Sequence, residues 1–278
     1  MNEFETKIYE ACKEKDYEEP GFVSEQIIKY AHQIEDITST EISKESVADK
    51  LLSNIDIVRF SEDEKINPPE NNNLKNRYFM INGLKGIQVL DEFKEYTFIH
   101  ELTHAMSGIH GIVARNNNSL NEGFTEYIAK LIWRHRYQTN PPDNNRYARE
   151  VGLASDLFDK FGKNQTLIQF LTDPISIIRK MERIKVDNND MWNSIDKNIE
   201  KAEHSRTKLF KNIYYNKCKK IVKNTHLNEE PQIKDDTREA FIKSLRVEEN
   251  HNKLPKKPHS HNPIDIGKTN RGYDGQEK

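Results

Sequence analysis

Cysteine is nearly absent from this chain, with two residues in 278, Cys12 and Cys218, far apart in the sequence. A disulfide framework or a zinc knuckle needs several cysteines at set spacings, so both are excluded. Two isolated thiols suit a reducing compartment. Long apolar runs are missing too. The mean hydropathy is −0.91, and no stretch approaches the roughly 20 apolar residues that cross a bilayer. Residues Met1 to Glu10 lack the basic start and apolar segment of a secretory signal. The expected location is therefore the cytoplasm, with signal-less export as a toxin or effector left open. An excess of one charge sign is also lacking. The 43 Lys and Arg against 45 Asp and Glu leave a formal net charge of −2, which demands neither a nucleic acid nor a membrane as partner. The balance is uneven, with basic residues in excess after residue 200 and acidic ones before it.

What is present begins with bulk. The chain can fill one sizeable domain with accessories, or two small domains. No internal repeat is visible. Its most informative stretch is His100-Glu101-Leu102-Thr103-His104. Four residues is just over one helical turn, so the two imidazoles lie one above the other and can grip one ion. The flanking Tyr96, Thr97, Ile99, Ala105 and Met106 make a largely apolar helix. A carboxylate there is costly without a partner, and a metal supplies one. Imidazole nitrogens suit zinc, giving one Zn2+ as the expected cofactor. Glu101, next to the first ligand, is placed to take a proton from a zinc-bound water.

A catalytic zinc wants three protein ligands and one open position. Two candidates follow. Glu122 stands in Leu120-Asn121-Glu122-Gly123-Phe124-Thr125-Glu126-Tyr127, after Asn116-Asn117-Asn118-Ser119, which reads as a loop. Glu122 then opens a second helix, carried by Phe124, Tyr127, Ile128, Leu131 and Ile132. Glu126 shares its face one turn later. It could accept the second ring N–H of a zinc histidine and orient it. The rival is His110, ten residues after His100, the third-histidine spacing of another zinc-peptidase pattern. That pattern wants glycine where Ser107 stands, and no convincing methionine turn follows.

The stretch H-E-L-T-H-A followed by L-N-E-G-F-T-E-Y resembles the gluzincin metallopeptidases. Its N-E-G-F segment is similar to the ligand segment of the aminopeptidase-N type. Seventeen residues, 105 to 121, separate His104 from Glu122, one short of that group's spacing. The resemblance covers roughly Tyr78 to Lys130. It implies His100, His104 and Glu122 as zinc ligands and Glu101 as general base in peptide-bond hydrolysis. The exopeptidase G-x-M-E-N motif is absent, since Asn82-Gly83 lacks the methionine and glutamate, so aminopeptidase specificity does not carry over. Such enzymes also need a donor for the tetrahedral oxyanion, often a tyrosine or histidine beyond the third ligand. Tyr147 is the candidate, with Arg146 and Arg149 in reserve. Arg134-His135-Arg136 reads as a solvated basic turn.

The expected fold is α+β and mostly helical, with a small sheet packed on the zinc helix and a helical C-terminal half. Strands are expected at Ile55–Phe60, Arg77–Ile81 and Lys85–Leu90, with a turn at Asn82-Gly83. An edge strand there could hold an extended peptide by strand addition. Residues 1–53 read as a helical N-terminal segment and 54–187 as the zincin-like catalytic domain. Within the latter, Gly162 reads as a helix stop and Asn164 as a cap. Residues 188–250 read as a helical extension and 251–278 as a disordered tail. In the extension, Ile213, Tyr214, Cys218 and Ile221 form an apolar stripe flanked by lysines. A second function follows from that flank: an inactive metallopeptidase-like protein that binds nucleic acid or a partner protein through its basic helix.

Overall fold

Helix formation starts at the second residue. In the computed structural model, Asn2 accepts a hydrogen bond from the Glu5 amide at 2.9 Å, and the Glu5 carboxylate accepts from the Asn2 amide at 3.1 Å. This reciprocal cap satisfies two orphan donors of α1 (Glu3–Lys13). α2 (Pro20–Ile37) has proline in its first turn, where no hydrogen bond is lost. α3 (Lys44–Asn54) is capped by Ser43. The structure describes residues 1–60, 76–81, 84–90, 94–108 and 113–225, all within one compact unit that spans 1–229.

Four strands form a mixed sheet: β1 (Asp16–Tyr17), β2 (Ile57–Arg59), β3 (Asn76–Ile81) and β4 (Leu84–Val89). Their order is β1-β2-β4-β3. β1, β2 and β4 run parallel, and β3 pairs antiparallel with β4, with Tyr78 opposite Ile87. Among the described residues, β1 and β3 are therefore the edges. The sequence pattern does not foretell β1, which is too short to show a period. It is held by Arg59, whose guanidinium donates to the Asp16 carbonyl at 2.9 Å and carboxylate at 2.7 Å. Ile87, Gln88 and Val89 are buried in succession, which means that β4 is covered on both faces. The Asn82-Gly83 turn lies outside the described residues.

The centre of the molecule is α4 (Lys94–Ser107), in which every residue from Tyr96 to Ser107 is buried. Three ties fix it. Tyr30 of α2 donates to Thr103 at 3.1 Å, Asn54 donates to the Ala105 carbonyl at 3.0 Å, and β3 and β4 pack against it. α5 (Val113–Tyr137) runs beside it, followed by α6 (Ala148–Phe161), α7 (Lys163–Thr172) and α8 (Pro174–Arg183). A hairpin of β5 (Lys185–Val186) and β6 (Asn189–Asp190) comes next. Its turn residues Asp187 and Asn188 both have positive φ, 47° and 68°, as a tight two-residue hairpin requires. α9 (Met191–Glu203) and α10 (Lys208–Asn224) close the described chain. Residues from α1, α2, α3, α9 and α10 join those of α4 to α8 in one hydrophobic core. The fold is α+β and mostly helical. No described helix is long and apolar enough to cross a membrane.

Four local expectations are corrected. Asn116–Ser119 is helical, because α5 begins at Val113. Each Asn costs about 0.7 kcal/mol against alanine, which a helix nucleated by the apolar face of Leu120, Phe124 and Ile128 can carry. Glu122 consequently sits well inside α5. Asn164 lies within α7, because Gly162 (φ 89°) both ends α6 and starts α7. Arg136 is no solvated residue. It donates to Gln26 and Glu95 at 2.7 Å each and to Gln33 at 2.9 Å, joining the end of α5 to α2 and α4. The buried line of α10 is Tyr215, Cys218 and Val222, while Ile213 is 38% exposed. Three adjacent apolar residues at 213–215 offered two stripes, and packing against α6 and α9 selected one.

Candidate metal centre

α4 and α5 build the centre together. His100 and His104 point their Nε2 atoms at each other, 3.1 Å apart. The Glu122 carboxylate of α5 lies 3.2 Å from His100 Nε2 and 3.5 Å from His104 Nε2. These three atoms form the described group able to hold a metal ion. The dimensions fit a small tetrahedral cation. Bonds of about 2.0–2.1 Å at the tetrahedral angle set neighbouring donors about 3.3 Å apart, and the three edges bracket that value. His110, the rival ligand, lies outside the described residues.

The far side of each imidazole is held. Glu126, fully buried, takes His100 Nδ1 at 2.8 Å and the Tyr96 hydroxyl at 2.5 Å. Donation from His100 Nδ1–H to Glu126 leaves the Nε2 lone pair facing the cluster. His104 Nδ1 faces the Thr125 hydroxyl at 3.2 Å and the Asn121 side chain at 3.5 Å. Turning the Asn121 amide over would set its Oδ1, a buried oxygen with no hydrogen-bond partner, on that ring N–H and orient His104 in the same way.

Charge follows from this geometry. Burial pulls the His100 pKa down, but hydrogen bonds to Glu122 and Glu126 outweigh it and raise it. Burial alone would raise Glu122, yet the two histidines hold it well below the usual carboxylate range. Glu101 is buried beside them. Desolvation pushes its carboxyl up, against the lowering effect of His100 and His104. A carboxylate whose pKa is raised is a better proton acceptor than an ordinary one.

Tyr147, the residue before α6, stacks its ring on His100 with centroids 5.9 Å apart and planes at 17°. Burial raises its phenol above the usual range, so it stays a hydrogen-bond donor. Arg146 reaches Thr97 at 3.4 Å, one turn before Glu101. Arg149 points elsewhere and bonds Asn212 of α10. Thus His100, Glu101, His104, Glu122, Glu126 and Tyr147 come together, whereas Arg149 does not. Sequence reading missed Tyr96 and Thr125. Only Tyr96 had a legible signal, as a polar residue four before His100.

Gly123 has a packing role. A Cβ there would lie 2.6 Å from the Glu150 carbonyl oxygen, so glycine is what lets α6 approach α5 at the level of the cluster. No known protein family, curated protein or solved structure matches the chain.

Proposed function

We propose that the chain is a zinc-dependent peptide hydrolase. What carries this reading is the triangle of His100, His104 and Glu122 donors with buried Glu101 beside it. Two imidazoles and one carboxylate are a donor set that zinc favours, and three protein ligands leave one position open. Zinc held there would supply a Lewis acid that polarises a carbonyl and acidifies a water. Glu101 accepts a proton and returns it to the leaving amine. Tyr147, protonated and stacked on His100, donates to the developing oxyanion. Glu126 and Thr125 keep both imidazoles in the ligating orientation. β3 is antiparallel to β4, packs against α4 and ends the strand order among the described residues, which is where an extended peptide would add by strand pairing. The gluzincin resemblance of H-E-L-T-H and N-E-G-F points the same way.

A second reading has one observation in its favour. On α10, Leu209 and Phe210 are 67% and 52% exposed beside Lys208 and Lys211. An inactive protein that keeps the metal could bind a partner there. Elemental analysis and a peptide-library digest separate the two. Glu101→Gln should keep about one zinc per chain and lose at least ~100-fold in turnover. Wild-type turnover in Glu101→Gln, or no chelator-sensitive cleavage by the native chain, would reject hydrolysis.

A further inference from the structure

Lys130 follows Glu126 by one turn of α5 and is buried. A buried ammonium needs acceptors for its three N–H bonds. Two are backbone carbonyls, Asn144 O at 2.9 Å and Arg146 O at 3.1 Å. The third is Glu126 Oε1, farther away at 3.5 Å. Its closer bonds therefore go to the loop that leads into α6, while its charge answers the carboxylate that holds His100.

That loop ends in a backbone conformation that needs holding. Tyr147 has φ 50° and ψ 34°, the left-handed region, which costs an aromatic residue energy and persists only where its surroundings impose it. Within the turn, Arg146 N donates to Asp143 O at 3.3 Å and Ala148 N to Asn145 O at 3.2 Å, and the first turn of α6 adds Val151 N to Tyr147 O at 2.8 Å. The two carbonyls gripped by Lys130 lie within this loop, three residues and one residue before Tyr147. The turn aims the Tyr147 ring onto His100.

We propose that Lys130 is a positioning residue. Its ammonium latches the backbone of Asn144 and Arg146 to Glu126, and so couples the placement of Tyr147 to the orientation of His100. The latch is a claim about this chain's own backbone. Its consequence for turnover rests on the hydrolase reading; its consequence for the loop does not.

The test compares Glu126→Gln with Glu126→Gln/Lys130→Met. The double variant leaves no unpaired buried charge, which keeps the fold accessible. Amide hydrogen exchange in the Arg146–Val151 stretch should accelerate roughly tenfold or more on adding Lys130→Met. Exchange in α9 and α10 should not change. An unchanged loop, or acceleration spread evenly over all helices, overturns the proposal and leaves Lys130 as ordinary core. In the otherwise native chain, Lys130→Met should lower kcat as far as Tyr147→Phe does, with KM little changed. Combining the two should cost no more than either alone, and additive losses would also overturn the latch. If the native chain shows no metal-dependent turnover, the hydrolase reading falls and the exchange comparison alone decides the latch.

Discussion

Replacing Gly123 by alanine probes the contact that sets α6 against the helices carrying the candidate metal centre. The added Cβ would stand 2.6 Å from the Glu150 carbonyl oxygen and 2.7 Å from its carbon, where ordinary contact begins near 3.4 Å. Backbone cannot swing aside as a side chain can, so α6 must retreat by about 0.8 Å, the difference between 3.4 and 2.6. Overpacking of this kind costs about 1–3 kcal/mol. The helix gains about 1 kcal/mol from losing a glycine. The net loss is up to ~2 kcal/mol, or up to ~8 °C in Tm at about 2–4 °C per kcal/mol for a domain of this size. Gly152 is the control. There the new Cβ would meet the tip of Lys219, which can move, so Gly152→Ala should raise Tm by ~1–4 °C. Calorimetry of the three proteins, each stripped of metal, measures both. Because Glu150 lies three residues after Tyr147, Gly123→Ala should also reduce kcat more than zinc affinity. Gly123→Ala more stable than the native chain, or Gly152→Ala equally damaging, would refute the packing argument.

Glu122→Ala should weaken zinc binding by more than the roughly 100-fold seen when a supporting residue is removed, while His110→Ala should leave it near native. Competition with a chromogenic chelator measures both, and the opposite ranking would transfer the third ligand to His110. A pH experiment follows from His100. In the ion-free protein its burial is outweighed by Glu122 and Glu126, which push it up to about 9 from an ordinary 6.5. The stability this confers is complete below an unfolded-state pKa of ~6.5 and is lost as pH rises through about 9. Ion-free Tm should therefore fall across that window. Zinc takes neutral imidazole, so binding at pH 7 should release about one proton and tighten with pH up to ~9. Calorimetry in buffers of different ionisation enthalpy reads the proton, and none released would contradict the assignment.

Much of this could be read from the residues in order. The strand at Tyr78, the apolar helix around His100 and the pairing of His100 with His104 all depend on repeats of two or 3.6 residues, which local chain geometry imposes. The errors came where two local patterns competed. Asn116–Ser119 carries loop-forming residues, yet α5 runs through them because its apolar face beyond Leu120 is buried. On α10, Ile213, Tyr214 and Tyr215 supported alternative stripes until α6 and α9 chose between them. Arg136 looked like a surface cation because its three acceptors, Gln26, Gln33 and Glu95, are distant in sequence.

By itself, then, the sequence determined which side chains of one helix share a face. That is why His100 and His104, and likewise Glu122 and Glu126, were readable as pairs: the helical period is a local property. Whether the pair on α5 meets the pair on α4 was decided by tertiary structure alone. The approach of the two helices sets the 3.2 Å from Glu122 to His100 and the 2.8 Å from Glu126 to its other nitrogen. The same holds for Gly123 against Glu150, and for Lys130 with the loop before Tyr147. Those contacts join residues far apart along the chain, and only burial and close packing choose which of them form.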